Sequence, residues 1–148
     1  MTTAATTHAE PTIPSLTLDG SIAKIQLNRP TKMNRIEPAD LGVLATHFAR
    51  IETDDNVRVV ILTGTGRVFS SGYHIGDLDD RKSGRKAAAQ DDAVSFEDVA
   101  NAVENCRVPT ICALNGSVYG GATDLALACD FRIGITGSEL VMPAAKLG

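Results

Sequence analysis

Two stretches of this chain set glycines among polar and aromatic residues in a pattern that could do chemistry. One is Phe69-Ser70-Ser71-Gly72-Tyr73-His74-Ile75, and the other is Asn115-Gly116-Ser117-Val118-Tyr119-Gly120-Gly121-Ala122-Thr123-Asp124. Glycine at a helix start lets the backbone come close to a ligand, and the first N–H groups of a helix have no partner inside it. Two such ends side by side can aim two N–H groups at one oxygen, which is how a developing oxyanion is held. The same glycines would also serve if they only allowed helices to pack closely on a sheet, and spacing alone leaves both readings open.

The elements around these stretches follow from periodicity. Ser15 to Leu18 and Ile22 to Leu27 alternate apolar and polar residues about Asp19-Gly20, which predicts a β-hairpin whose two central positions have positive φ. Pro38 opens a segment in which Leu41, Leu44, Phe48 and Ile51 recur at helical spacing, closed by the polar cluster from Glu52 to Asn56. Val57 to Thr63 reads as a strand buried on both faces before Gly64 and Gly66. Residues 76–95 carry charge without apolar period and predict an exposed loop, with a helical stretch at 86–90.

Phe96, Val99 and Val103 then mark a helix, Pro109 to Leu114 a buried strand, Ala122 to Cys129 a helix packed on all sides, and Asp130 to Ile135 a third buried strand. Alternation of this kind predicts an α/β fold with right-handed crossovers and a largely parallel sheet. Ligands gather at the carboxyl ends of such strands, where both glycine stretches fall.

Composition narrows the classes. With 148 residues, 43% apolar and 22% charged, the chain is that of one ordinary soluble domain. A net charge of −4 argues against a nucleic-acid partner. Cys106, Cys112 and Cys129 have neither CxxC spacing nor an even count, so they predict neither a disulfide framework nor a metal site, but buried thiols in a reducing, cytoplasmic setting. Residues 1–14 are expected to form a disordered tail without the apolar core of a secretion signal. No apolar run approaches the roughly 18 to 20 residues that a membrane-spanning helix needs.

Several motifs occur in an order that resembles the crotonase (enoyl-CoA hydratase/isomerase) superfamily. They are Leu27-Asn28-Arg29-Pro30 with Asn34, Val59-Val60-Ile61-Leu62-Thr63-Gly64, Phe69-Ser70-Ser71-Gly72, Gly120-Gly121 with Asp124 to Asp130, and Pro143 with Lys146-Leu147-Gly148. The similarity runs from about Ser15 to the last residue. It implies a crotonase-like fold, a spiral of ββα repeats, of which residues 15–148 form a partial acyl-CoA-binding core cut before the C-terminal helical part. It also implies a thioester carbonyl held between the backbone N–H groups of Tyr73 and Gly121, with enolate-like charge stabilised there. Tyr73, His74, Ile75, Gly76 and Gly121 match the segments that bind the coenzyme A portion, and Lys32 is the candidate for its phosphates, against a reading as a solvated loop lysine. No permanently bound cofactor is implied, since coenzyme A belongs to the substrate. A trimer or dimer of trimers is implied for the full-length chain.

Two departures from the family pattern matter. The position after Gly72 is usually small and the next usually Asp, whereas here they are Tyr73 and His74. A backbone donor survives a tyrosine side chain, but the acyl pocket is reshaped. His74 is either a polar contact to ligand or a helix-start or surface residue. Hydratases of the family use two glutamates; Asp124 matches the first, one methylene shorter, and the second falls at Ala144, which cannot transfer a proton. Asp124 is therefore the expected acid or base, against a reading as a first-turn acid facing the helix dipole. Asp130 is the lesser candidate, with a structural role implied. The resulting expectation is an acyl-CoA-processing enzyme of the hydratase/isomerase type, and the alternative is a non-catalytic acyl-CoA-binding or degenerate homologue.

Overall fold

The computed structural model describes residues 12–73 and 93–142; residues 1–11, 143–148 and 74–92, which hold most of the loop expected at 76–95, lie outside them. Strands β1 (Ser15–Asp19) and β2 (Ile22–Leu27) form the expected antiparallel hairpin, with Leu16 opposite Ile25. Asp19 pairs with Ile22, so the turn is Gly20-Ser21, one residue later than the sequence suggested, and only Gly20 has positive φ, at 56°. Glycine alone adopts that conformation readily, which moves the turn onto it and leaves Asp19 in the ladder. Pro14, at the end of the expected tail, is buried, and its carbonyl accepts a hydrogen bond from His47 Nε2 at 3.1 Å.

Strands β3 (Val59–Gly64), β4 (Thr110–Leu114) and β6 (Phe131–Gly134) extend the hairpin in parallel, in the order β1-β2-β3-β4-β6. A second, smaller sheet pairs β5 (Val118–Tyr119) with β7 (Leu140–Val141), and single bridges from Ser70 to Val118 and from Ile36 to Tyr73 continue its direction. Helices α1 (Pro38–Glu52), α2 (Phe96–Glu104) and α3 (Ala122–Ala128) pack in sequence, α1 on α2 and α2 on α3. Leu41, Leu44, Phe48 and Ile51 of α1 are buried, as their spacing predicts. They meet Ala23, Ile25, Val60, Leu62 and Cys112 from one face of the large sheet, together with Val99, Val103, Leu125 and Ala126.

That one-sided core corrects three expectations. β3 and β4 alternate buried and partly exposed residues rather than being buried on both faces, because the helices cover the Val60, Leu62 and Cys112 side while Ile61 and Ile111 look the other way. β6 is not buried: it pairs only with β4, and Phe131, Ile133 and the following Ile135 are 59%, 65% and 59% exposed. α3 is not packed on all sides, since Asp124 and Leu127 face outward. Of the cysteines, Cys112 and Cys129 are buried and Cys106 is partly exposed; all three are free thiols. Among the described residues no helix is long and apolar enough to cross a membrane.

Candidate functional site

The first glycine stretch is held in place by Asn34. This residue and Met33 both have φ of 51°, a conformation asparagine tolerates better than most residues. The Asn34 side chain is 1% exposed; its Oδ1 accepts from Arg29 N at 2.9 Å, and its Nδ2 donates to the carbonyls of Thr65 at 2.7 Å and Val68 at 2.9 Å. It thereby fixes the loop that follows β3. Phe69, wholly buried, anchors the same loop in the core, a contribution of about 1.5–3 kcal/mol for a side chain of this size. Ser70 then links the two: its hydroxyl donates to Asn34 O at 2.8 Å and accepts from Gly72 N at 3.1 Å. Ser71 N donates to Met33 O at 2.8 Å and Ile36 N to Gly72 O at 2.9 Å, so the backbone before Tyr73 is pinned along its length.

The second stretch lies directly against the first. Tyr119 N donates to Ser70 O at 3.0 Å and Gly120 N to Val141 O at 2.9 Å. Gly72 has φ of 98°, and a Cβ there would stand 2.7 Å from Tyr119 O and 3.4 Å from Gly121 N. Only glycine satisfies both the dihedral and the contact. The peptide that carries the Tyr73 N–H therefore begins beside the Gly121 nitrogen, the juxtaposition that the two-donor reading needs. The position of a Cβ on Gly121 lies 3.6 Å from both Tyr73 Cβ and Phe96 Cζ.

Three helices begin with an aspartate in the third position, and they use it differently. Asp40 of α1 is buried, pairs with the Arg29 guanidinium at 2.5 and 3.1 Å, and accepts the N–H of Glu37, the residue that caps its helix, at 2.8 Å. Asp98 of α2 accepts the N–H of its cap, Ser95, at 2.8 Å and the Ser95 hydroxyl at 2.7 Å. These bonds hold the Asp98 carboxyl below its ordinary pKa. Asp124 of α3 is exposed, and among the described residues its side chain makes no hydrogen bond or ion pair and does not close over the N–H of its cap, Gly121. Asp130, at the far end of α3, accepts from Thr110 N at 2.8 Å and Thr110 Oγ1 at 2.9 Å, which lowers its pKa and ties the helix end to β4.

Gly121 thus lies beside Gly72 and Tyr73, Asp124 follows in the first turn of the same helix with its N–H on Gly121 O at 3.0 Å, and Asp130 is engaged in holding structure. Lys32 lies exposed in the turn Pro30–Lys32, next to the Met33–Asn34 segment that pins Ser71, and an open groove of about 300 Å³ beside it is lined by Pro30, Met33, Gly66 and Arg67. His74, Ile75, Gly76 and Ala144 fall outside the described residues. Asn34 and Ser70 stood in the sequence motifs without a role, and the structure gives them one. Phe96 and the Arg29–Asp40 pair were missed as site-forming elements; the only local signal for the pair was an acid placed three residues after Glu37 at a helix start.

Comparison with known proteins gives concordant results. The profile of the family described as enoyl-CoA hydratase/isomerase matches residues 17–148. A protein named probable enoyl-CoA hydratase 1, peroxisomal, from Arabidopsis thaliana is 36% identical over 87% of this chain and 46% of its own length. The mitochondrial Delta(3,5)-Delta(2,4)-dienoyl-CoA isomerase of Mus musculus is 33% identical over 75% of this chain and 36% of its own. A crystal structure of an enoyl-CoA hydratase/carnithine racemase from Magnetospirillum magneticum superposes with a TM-score of 0.79 at 31% identity, covering 91% of this chain and 51% of that one. The chain spans about half or less of the length of the proteins it matches.

Proposed function

Since the chain belongs to the enoyl-CoA hydratase/isomerase family and has its crotonase-like α/β fold, we propose that it holds an acyl-CoA thioester with the carbonyl oxygen between the N–H groups of Tyr73 and Gly121, and moves a proton with Asp124. The observation that carries this reading is the contrast among the three helix starts. Asp40 and Asp98 each take the N–H of their cap residue, whereas Asp124 leaves that of Gly121 to another acceptor. Both the donor and the acid at this helix start are then available to one substrate.

The chemistry follows from charge. Removing a proton next to the thioester carbonyl puts negative charge on its oxygen, and two fixed donors lower the cost of that charge. One carboxylate can remove and return a proton, which is isomerisation; adding water across a double bond requires a base for the water and an acid for carbon. Ala144 supplies neither, so isomerisation or one-base hydration fits this chain better than hydration by two carboxylates. Coenzyme A enters as part of the substrate, with exposed Lys32 as the candidate for its phosphates and Arg67 in the neighbouring groove as a second cation. Assembly as a trimer or dimer of trimers and a cytoplasmic location complete the proposal. Ala144 also favours a second reading, a binding protein that retains the hole without turnover.

Titration of crotonyl-CoA against crotonate tests the site. The thioester should bind better, and the preference should fall in Gly121→Pro far more than in Gly121→Ala. The Gly121 φ of −58° suits proline, and a Cβ meets only ordinary contacts at 3.6 Å, so any excess loss in Gly121→Pro comes from exchanging the N–H for the ring Cδ and not from the added Cβ. Loss of one such donor usually removes about 2.7 to 4 kcal/mol of transition-state stabilisation. Equal affinities for thioester and acid, or indifference to Gly121→Pro, would remove the hole.

A further inference from the structure

The side-chain face of Gly121 is walled by two aromatic residues. Their ring centres are 5.7 Å apart at a tilt of 54°, inside the range in which tilted aromatic pairs attract. The tip of Phe96, Cζ, and the Cβ of Tyr73 each approach the side-chain face of Gly121. Phe96 is the first residue of α2, and that helix start is rigid: Ser95 and Asp98 exchange hydrogen bonds of 2.8 and 3.1 Å, and Val99 and Val103 bury the next turns. The wall is therefore set by a capped helix, and the Tyr73 ring leans on it.

We propose that the Tyr73–Phe96 pair limits acyl size at this site, so that the protein takes short acyl-CoA thioesters in preference to long ones. The proposal rests on the thioester reading above and adds the acyl class to it. An oxygen accepting from Gly121 N–H lies about 2.9 Å from that nitrogen. The carbonyl carbon and the next two carbons follow at bonds of about 1.2 to 1.5 Å each. Phe96 Cζ and Tyr73 Cβ stand 3.6 Å from the Gly121 Cβ position, so the first few acyl carbons come within reach of them, and a longer straight chain laid toward that side would have to displace Phe96 or turn away.

Calorimetric binding of crotonyl-CoA and trans-2-decenoyl-CoA to the full chain tests this in four forms: native, Phe96→Ala, Tyr73→Ala and Gly121→Pro. Tyr73→Ala removes the ring but keeps the Cβ that meets Gly121, so it serves if Phe96→Ala loosens α2. The ratio of decenoyl to crotonyl affinity should rise at least about tenfold in each ring variant, the scale on which apolar pockets discriminate chain length. A ratio unmoved in both, while Gly121→Pro weakens both thioesters alike, overturns the wall and leaves the hole standing. Thioester binding that ignores Gly121→Pro overturns the hole and the proposal with it.

Discussion

The starts of α1 and α3 carry the same residue in the same place, and the protein treats it in opposite ways. Asp40 is 1% exposed and fully engaged: Arg29 meets both of its oxygens, and Glu37 N–H closes the helix end onto it. Asp124 follows a glycine that offers no side chain to a cap, and it stands at the surface without a side-chain partner among the described residues. A buried charge must be paired, and once paired it has nothing left to give a ligand. The two acids differ in what the protein leaves free for a ligand. Sequence position alone could not reveal this.

The largest test of that contrast is Asp124→Asn. Isomerase and hydratase turnover on enoyl-CoA thioesters should both be lost, a fall on the order of 10² to 10⁴, since positioned proton transfer contributes about that much. The stability of the variant should stay near that of the native chain, because no bond to the rest of the described protein is broken. Turnover that survives would take Asp124 out of the mechanism and favour a binding protein.

Asp40→Ala should do the reverse. Removing one partner of a buried pair leaves the other charge uncompensated, which usually destabilises by about 3–5 kcal/mol. Arg29 also donates to Arg35 O at 2.7 Å, and its own N–H is held by Asn34, so the loss should spread to the segment that pins Gly72. Urea unfolding measures it, and a change below about 1 kcal/mol, the scale of an exposed pair, would mean that the two regions are not so different. A smaller effect, in the other direction, is expected from Ala144→Glu, which should raise hydratase turnover by at least about tenfold by restoring a second proton-transfer group. No gain over the native protein would show that another residue already fills that role.

The same contrast explains what the sequence could show. The order of strands and helices was legible because each is written in a local period: Leu41, Leu44, Phe48 and Ile51 for α1, alternating residues for the hairpin. The hairpin turn was misplaced by one residue because a dipeptide preference cannot weigh the extra pair that Asp19 forms with Ile22. β6 was expected inside because Phe131, Ile133 and Ile135 are apolar, yet apolar content states a preference for cover, and cover comes from elements elsewhere in the chain. The clamp at Gly72 was legible only as a motif. Its partners Asn34 and Tyr119 are far along the sequence, and no local pattern encodes the contact of Gly72 with Gly121. Phe96 was legible as a core helix residue, while its meeting with Tyr73 is purely tertiary.

The finest test separates Asp124 from the other acid of α3. Thr110 N–H and hydroxyl hold Asp130 in its charged form, so its folded pKa is lowered from the ordinary value. A group whose folded pKa is lowered adds stability above its unfolded pKa, near 3.9 for Asp, and that stability is lost as pH falls through the folded value. Between roughly pH 4 and the lower folded value, the native chain should therefore lose melting temperature in part through Asp130. Asp130→Asn keeps an oxygen that can accept from Thr110 N–H but has no proton to gain, so its acid curve should be the flatter of the two. Asp130 is exposed, and solvent screens the effect, so the difference should be small, a matter of slope below pH 4 rather than of stability at neutral pH. Turnover at neutral pH should change little, because this acid serves the joint between α3 and β4. Parallel acid melting curves for the two proteins would deny Asp130 its structural role, and a large loss of turnover in Asp130→Asn would move the proton-transfer assignment from the first turn of α3 to its end.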